Sequence, residues 1–381
     1  MNLIGALLLF LGLSLSSLYL FPSGAPQLAD FVLIGFASVM LVMSLGDERL
    51  KVSPFAICWG MMVLWVLLVC LSWTLVMETT TFFRPAQFFL FNFLVGMALL
   101  RFLGVYGESA KGVIRNGVSI ALLIAGSQAL VQLAMGVSRT TGSFNNPNQL
   151  AYFSLCGVVL LLMLDDFRPR MRLLGLAGLA SGVLGILAAS SLAAMGGGVL
   201  VLVGWAMANA KQVKHFARLL LLVPLLLLGV LAANISSDGQ VLRNLEARMD
   251  RAPSKVDSIY EERKFDRLMN FPEYAILGAG EAERERFAPY DGQEIHSSYV
   301  NMLFAYGLPG LGLFLLTIAI VLRRAPLYVW AGVAGPLIYS TTHNGLRGTL
   351  FWMVLVIGWY LYRQGSIVAS RHSVAIEHPL Q

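Results

Sequence analysis

Residues 54–76, PFAICWGMMVLWVLLVCLSWTLV, pass without one Asp, Glu, Lys or Arg. A helix rising about 1.5 Å per residue over such a length reaches across the ~30 Å hydrocarbon core of a bilayer. Its apolar residues show neither the alternation of a half-buried strand nor a polar helical face, so every side must meet lipid or another helix. Stretches of the same kind recur at 3–20, 29–45, 86–104, 114–136, 149–164, 173–189, 193–210, 219–233, 297–322, 327–341 and 348–362. The chain is 57% hydrophobic and 13% charged, roughly half the charge of a soluble domain. The pattern predicts an all-α polytopic membrane protein of about twelve transmembrane helices. The first run, MNLIGALLLFLGLSLSSLYL, has no basic residue before its apolar core and no small-residue cleavage site. It therefore reads as a first spanning helix and not as a removed signal.

The expected organisation is a bundle of about nine helices (1–233), a polar loop (234–296), a bundle of about three helices (297–362) and a tail (363–381). Arg and Lys test this count, because short cytoplasmic loops retain them. With a cytoplasmic N-terminus, fifteen fall on the cytoplasmic side, among them Arg101, Lys111, Arg115, Arg323 and Arg324, whereas the short outer loops hold only Arg84, Arg139 and Arg347. The count favours an even number of spans, with both termini cytoplasmic and the 234–296 loop on the opposite side of the membrane.

Several function classes drop out. The net charge of +6 is dispersed and not drawn into a basic stripe with interleaved aromatics, so nucleic acid is not an expected partner. Cys58, Cys70 and Cys156 lie singly in apolar runs, with no metal-ligand spacing and no disulfide framework. No Asp or Glu falls near the middle of an apolar segment, which disfavours a carboxylate-driven transporter and a catalytic metal site. Asp30 in the first outer loop reads as a helix cap.

The polar residues on the outer side are more informative. Arg84, Arg139 and Arg347 each sit at an expected outer boundary, where an arginine is either a snorkelling anchor or a ligand for phosphate. RTTGSFNNPNQLAYF (139–153) presents amides at a turn, with Asn148 able to cap the next helix and offer its N-terminus to an anion. EIHSSYVNMLFAYGLPGLGLFLL (294–316) places His296 where the loop returns to the membrane. An imidazole titrating near neutrality can act there as a general base, although a lone interfacial His is usually structural. Glycines 307, 310 and 312 with Pro309 loosen or kink the following helix. In STTHNGLRGTLF (340–351), His343 and Arg347 are spaced to share a helical face. Within the 234–296 loop, mixed three- and four-residue spacings suggest two amphipathic helices broken near Pro253, and ILGAGEAERERF reads as a Gly turn followed by a charged stretch.

From about residue 60 onward the chain resembles the O-antigen ligase and O-antigen polymerase superfamily of bacterial envelope glycosyltransferases. The resemblance rests on GSFNNPNQLAYF, the Arg-rich loop leading to ILGAG, and HSSYVNMLFAYGLPGLGLFL, in that order. It implies a metal-independent inverting transferase without cofactor that moves a glycan from undecaprenyl diphosphate to a hydroxyl on the periplasmic face. Position by position it implies that His296 activates the acceptor, that Arg263 helps to hold the donor diphosphate, and that Arg139 matches a basic residue before the Asn-Pro-Asn turn. Arg84 and Arg347 join as donor-binding candidates from the charge count, with Arg267 as a further candidate; Asn146, Asn148 and His343 are supporting residues. SSLAAMGGGVL (190–200) lacks the arginine that family members often carry in the matching turn. FNNPNQLAYF and HNGLRGTLFW look more like polysaccharide polymerases, which extend a lipid-linked glycan, than like ligases, which add it to lipid A–core. Membrane lipids and a possible chain-length regulator complete the implied partners. A flippase of lipid-linked sugars and a non-catalytic envelope scaffold are the competing classes.

Overall fold

A computed structural model describes residues 1–22, 24–44, 53–167, 172–209, 259–290 and 292–377, with isolated positions between 231 and 250; side chains are described as far as Arg363. Every regular element among the described residues is helical. The longer ones are α1 (Leu3–Leu15), α2 (Leu28–Val42), α3 (Pro54–Met77), α4 (Phe83–Ala134) and α5 (Pro147–Leu164). They continue with α6 (Leu173–Ala188), α7 (Leu192–Asn209), α8 (Ser298–Leu322), α9 (Leu327–Thr342) and α10 (Thr349–Glu377).

Among the described residues, five stretches are long and apolar enough to cross a membrane: Pro54–Met77, Thr80–Ala134, Pro147–Leu164, Leu192–Asn209 and Ser298–Leu322. α3 shows why. Trp59, Met62, Val66 and Cys70 are buried, while Leu64, Leu68, Leu71 and Leu75 on its other side are exposed. A continuous exposed apolar face on so long a helix is costly in water and suited to lipid.

Some expected boundaries shift. α1 stops at Leu15, where the hydroxyls of Ser14 and Ser16 bond back to the carbonyls of Phe10 and Leu13, local bonds that compete with helix continuation. The segments expected at 86–104 and 114–136 form one helix bent at Gly107, whose φ of 51° and ψ of −121° interrupt the helical ladder without a loop. The segment 219–233 and the break near Pro253 lie outside the described residues. From 259 to 290 the loop consists of single turns, Ile259–Glu262, Arg267–Asn270 and Tyr274–Leu277, followed by a 3₁₀ turn at Arg284–Arg286.

Small residues bring helices into close contact. A Cβ on Gly126 or Gly178 would press on Ser181 of α6 or Ser119 of α4, the small-residue packing that membrane bundles use where burial supplies no driving force between helices. Contacts also divide the bundle into two ends. At one, Arg115 pairs with Asp165, the ammonium of Lys111 lies 5.7 Å from the Tyr360 ring centre, and Tyr328 donates to Asp166. At the other, Arg84 donates to the Gly24 carbonyl, Tyr19 N–H donates to Ser143, and Tyr339 donates to the Asn148 carbonyl.

Candidate functional site

The second end is organised by a break in α8. Pro309 has no N–H, so the Ala305 carbonyl loses its helical donor, and Gly307 leaves the helical region at φ 69°, ψ −175°. The freed carbonyls are taken up from outside the helix. Ala279 N–H donates to Phe304 O at 2.8 Å, Gly280 N–H donates to Ala305 O at 2.8 Å, and the indole of Trp65 donates to Tyr306 O at 2.7 Å. Gly278 and Gly307 face each other, both with positive φ. A Cβ on either would collide with backbone of the other segment, Ala305 O in one case and Ile276 O in the other. The Gly turn and the kinked helix, read as separate motifs in sequence, are one joint.

That joint delivers Glu281. Glu281 is 6% exposed, and its carboxylate receives four donors. Oε1 accepts from Asn301 at 3.0 Å, Arg347 at 3.1 Å and Asn344 at 3.3 Å, and Oε2 accepts from Tyr306 at 3.2 Å. Arg347 also reaches Glu294 at 3.1 Å, and Glu294 pairs with Arg284 at 2.7 Å. Opposite charge outweighs the desolvation of burial here. Glu281 and Glu294 hold the Arg347 guanidinium above its ordinary pKa, and Arg347 and Arg284 hold the Glu294 carboxyl below its own.

His296 lies two residues beyond Glu294 with an exposed side chain, and its N–H donates to the Arg263 carbonyl at 3.1 Å. Desolvation lowers its pKa, with Arg263, Lys264 and Arg284 adding to the effect and Glu294 opposing it. The imidazole is therefore neutral at pH 7, the form a base requires. Arg263 is half-buried, and desolvation pulls its pKa down against the opposing charge of Glu262. A guanidinium whose burial is under-compensated favours an approaching anion.

Tyr339 joins this group to the Asn-Pro-Asn turn. Its ring stacks on His343 at 4.5 Å and on Tyr152 at 4.3 Å, and its hydroxyl donates to Asn148 O at 2.8 Å. Arg139 donates to the Asn148 side chain at 2.6 Å and to the Ala189 carbonyl at 3.0 Å. Arg139, Asn148, Tyr339, His343, Arg263 and His296 thus occupy one neighbourhood, although they come from four separate parts of the chain.

Other expected residues sit differently. The cap of α5 is Asn146, accepting from Gln149 N–H at 2.9 Å, with Pro147 in the first turn; Asn148 is already inside the helix and holds Arg139 instead. His343 and Arg347 share no helical face, because α9 ends at Thr342 and the chain turns through 343–348 before α10. Arg84 is tied to the loop between α1 and α2 through Gly24. Arg267 is 2% exposed, 4.7 Å from the Tyr290 ring centre and within cation–π range of Phe287 and Phe304. That surrounding suits a framework role. Asp30 is a cap, accepting from Gln27 N–H at 2.7 Å. Glu281 went unseen in sequence because it enters from the loop; the amides of Asn301 and Asn344 at the edges of apolar runs were its available signal.

Beside the charge network lies a cavity of about 360 Å³ between the ends of α1, α2 and α5 and the 344–351 segment. Among the described residues, no group of three or more His, Cys, Asp or Glu is placed to hold a metal ion. No family model matches the chain, and no curated protein matches it.

Proposed function

We propose that this chain is a periplasmic-face glycosyltransferase of a bacterial inner membrane, with about twelve spans and both termini cytoplasmic. It moves a glycan from undecaprenyl diphosphate to a hydroxyl acceptor, in the manner of an O-antigen or exopolysaccharide polymerase. The observation carrying this reading is an exposed His296 bonded through its backbone to the Arg263 segment, beside a Tyr339 and an Arg139 that both bond Asn148. A base and fixed cations at one membrane end are what glycosyl transfer from a diphosphate needs.

In the reaction the acceptor O–H loses its proton to His296 as its oxygen bonds to the anomeric carbon. The bond from that carbon to the phosphate oxygen breaks, and the electron pair leaves with undecaprenyl diphosphate. Arg263 and Arg139 stabilise the charge that develops on it; preorganised guanidinium groups act strongly there because they do not reorganise during the step. Removing a general base costs roughly 10²–10⁴ in rate.

The test is transfer by the purified full chain in nanodiscs, with undecaprenyl diphosphate-linked repeat units and EDTA present. Chain growth from donor alone, lost in His296→Ala, supports the polymerase. Transfer only after lipid A–core is added makes it a ligase. No transfer with a competent donor refutes the enzyme and brings forward a flippase or scaffold.

A further inference from the structure

The cavity differs in chemistry from the neighbourhood of Arg139 and Arg263. Its polar walls include Asp30 and Glu294, Asn146 and Gln149, with Arg347 at one side. Arg347 is already held by two carboxylates, so a phosphate would have to displace them or sit beside them. With Asp30 and Glu294 both present, the cavity wall repels a dianion. Diphosphate recognition calls for donors and positive charge; this cavity offers donors and acceptors side by side. Asn146 and Gln149 each spend the amide oxygen on backbone N–H groups, of Gln149 and Asn145, which leaves both NH₂ groups as donors. Asp30 spends Oδ2 on Gln27, and Glu294 spends Oε1 on Arg284 and Arg347, which leaves one acceptor oxygen on each.

Aromatic rings complete the cavity. Phe88, Phe144 and Phe153 face it with Tyr152, which also stacks on Tyr339 of the neighbouring group. Alternating donors and acceptors suit hydroxyls, which both give and take hydrogen bonds, and ring faces suit the apolar C–H face of a pyranose. The volume falls within the range of small-ligand sites.

We infer that this cavity binds an uncharged polyhydroxyl ring, a neutral sugar of the glycan, and excludes acidic sugars and phosphates. The inference deepens the proposed function by assigning a sugar class to a site next to the reacting centre, and it rests on that reading for the sugar's place in the reaction. Whether the ring belongs to donor or acceptor is a matter of which lipid-linked substrate it rides on; the recognition chemistry is shared.

The experiment is saturation-transfer NMR on the full chain in nanodiscs, with methyl galactoside, methyl N-acetylglucosaminide, methyl glucuronide and inorganic pyrophosphate as probes. At least one neutral glycoside should receive saturation at its ring protons, the glucuronide should receive several-fold less, and pyrophosphate should not compete. Gln149→Ala should weaken the neutral signal several-fold, and Ser16→Phe, which fills the cavity beside α1, should abolish it. His296→Ala should leave it unchanged. Melting temperatures near wild type show that both cavity variants fold, and each tests the inference independently of the other. A wild type that saturates no neutral glycoside overturns it, as does a signal surviving both variants or one displaced by glucuronide or pyrophosphate. Transfer activity lost in His296→Ala can persist while these binding results fail, so the two readings fail separately.

Discussion

Substitution of Glu281 probes the joint most directly. Three donors converge on Oε1 and one on Oε2, and the carboxylate is buried. Glu281→Gln keeps Oε1 for Asn301, Asn344 and Arg347 and turns an amide NH₂ toward the Tyr306 hydroxyl, which can accept. What is lost is the charge. A hydrogen bond to a charged group contributes about 1.5–3 kcal/mol, and Arg347 is 32% exposed and keeps Glu294, so solvent and the second partner reduce the loss to about 1–2 kcal/mol. Glu281→Ala leaves Asn301, Tyr306 and Asn344 without their acceptor and costs about 3–5 kcal/mol, the range for breaking a buried pair. At roughly 2 °C per kcal/mol for a chain of this size, thermal unfolding in detergent should fall by about 2–4 °C for Gln and about 6–10 °C for Ala. Arg347→Ala should cost less in the Glu281→Ala background than alone. Equal melting temperatures for the two Glu281 variants, or additive losses in the double variant, would refute the account of Glu281 as the acceptor that ties the loop to α8.

Gly307→Val should abolish folded protein in the membrane, because positive φ and the Ile276 carbonyl both exclude a side chain there, whereas Gly312→Ala, in open space, should express normally; fluorescence-detected size exclusion separates the two outcomes. Arg263→Ala should lower transfer by tenfold or more with little change in melting temperature, while Arg267→Ala should do the reverse, opening the space between Tyr290, Phe287 and Phe304. Because the pKa of His296 is lowered, its base form persists through pH 7 and is lost only as pH falls through a value below the ordinary 6.5. The transfer rate should therefore be flat above that value and decline below it. Glu294→Gln, which removes a charge favouring imidazolium, should move the decline to lower pH in a rate profile.

Much of this chain was legible in one dimension. Hydrophobicity that persists around the whole helical circumference, as in 54–76, is set by the solvent the helix must meet, so helical class and membrane setting follow from local composition. The GSFNNPNQ turn and the His296 boundary were visible for the same reason, since polar residues at the ends of apolar runs mark membrane surfaces. Local pattern failed where bonding partners decided. Asn146, not Asn148, caps α5 because Pro147 fits the first turn. The bend at Gly107 replaced a loop between two apolar runs, as hydropathy does not record a single residue's φ.

Composition and periodicity alone determined an apolar helical chain with its polar chemistry at membrane boundaries, because burying backbone groups in lipid leaves helices as the solution for such runs. Only the tertiary structure decided which arginines are already held, Arg347 by two carboxylates and Arg267 among aromatic rings. Arg347 and Arg267 look no different from Arg263 in sequence, but a guanidinium's role depends on the charges and rings packed around it. Glu281, Tyr290 and Phe304 reach those positions through contacts between distant segments.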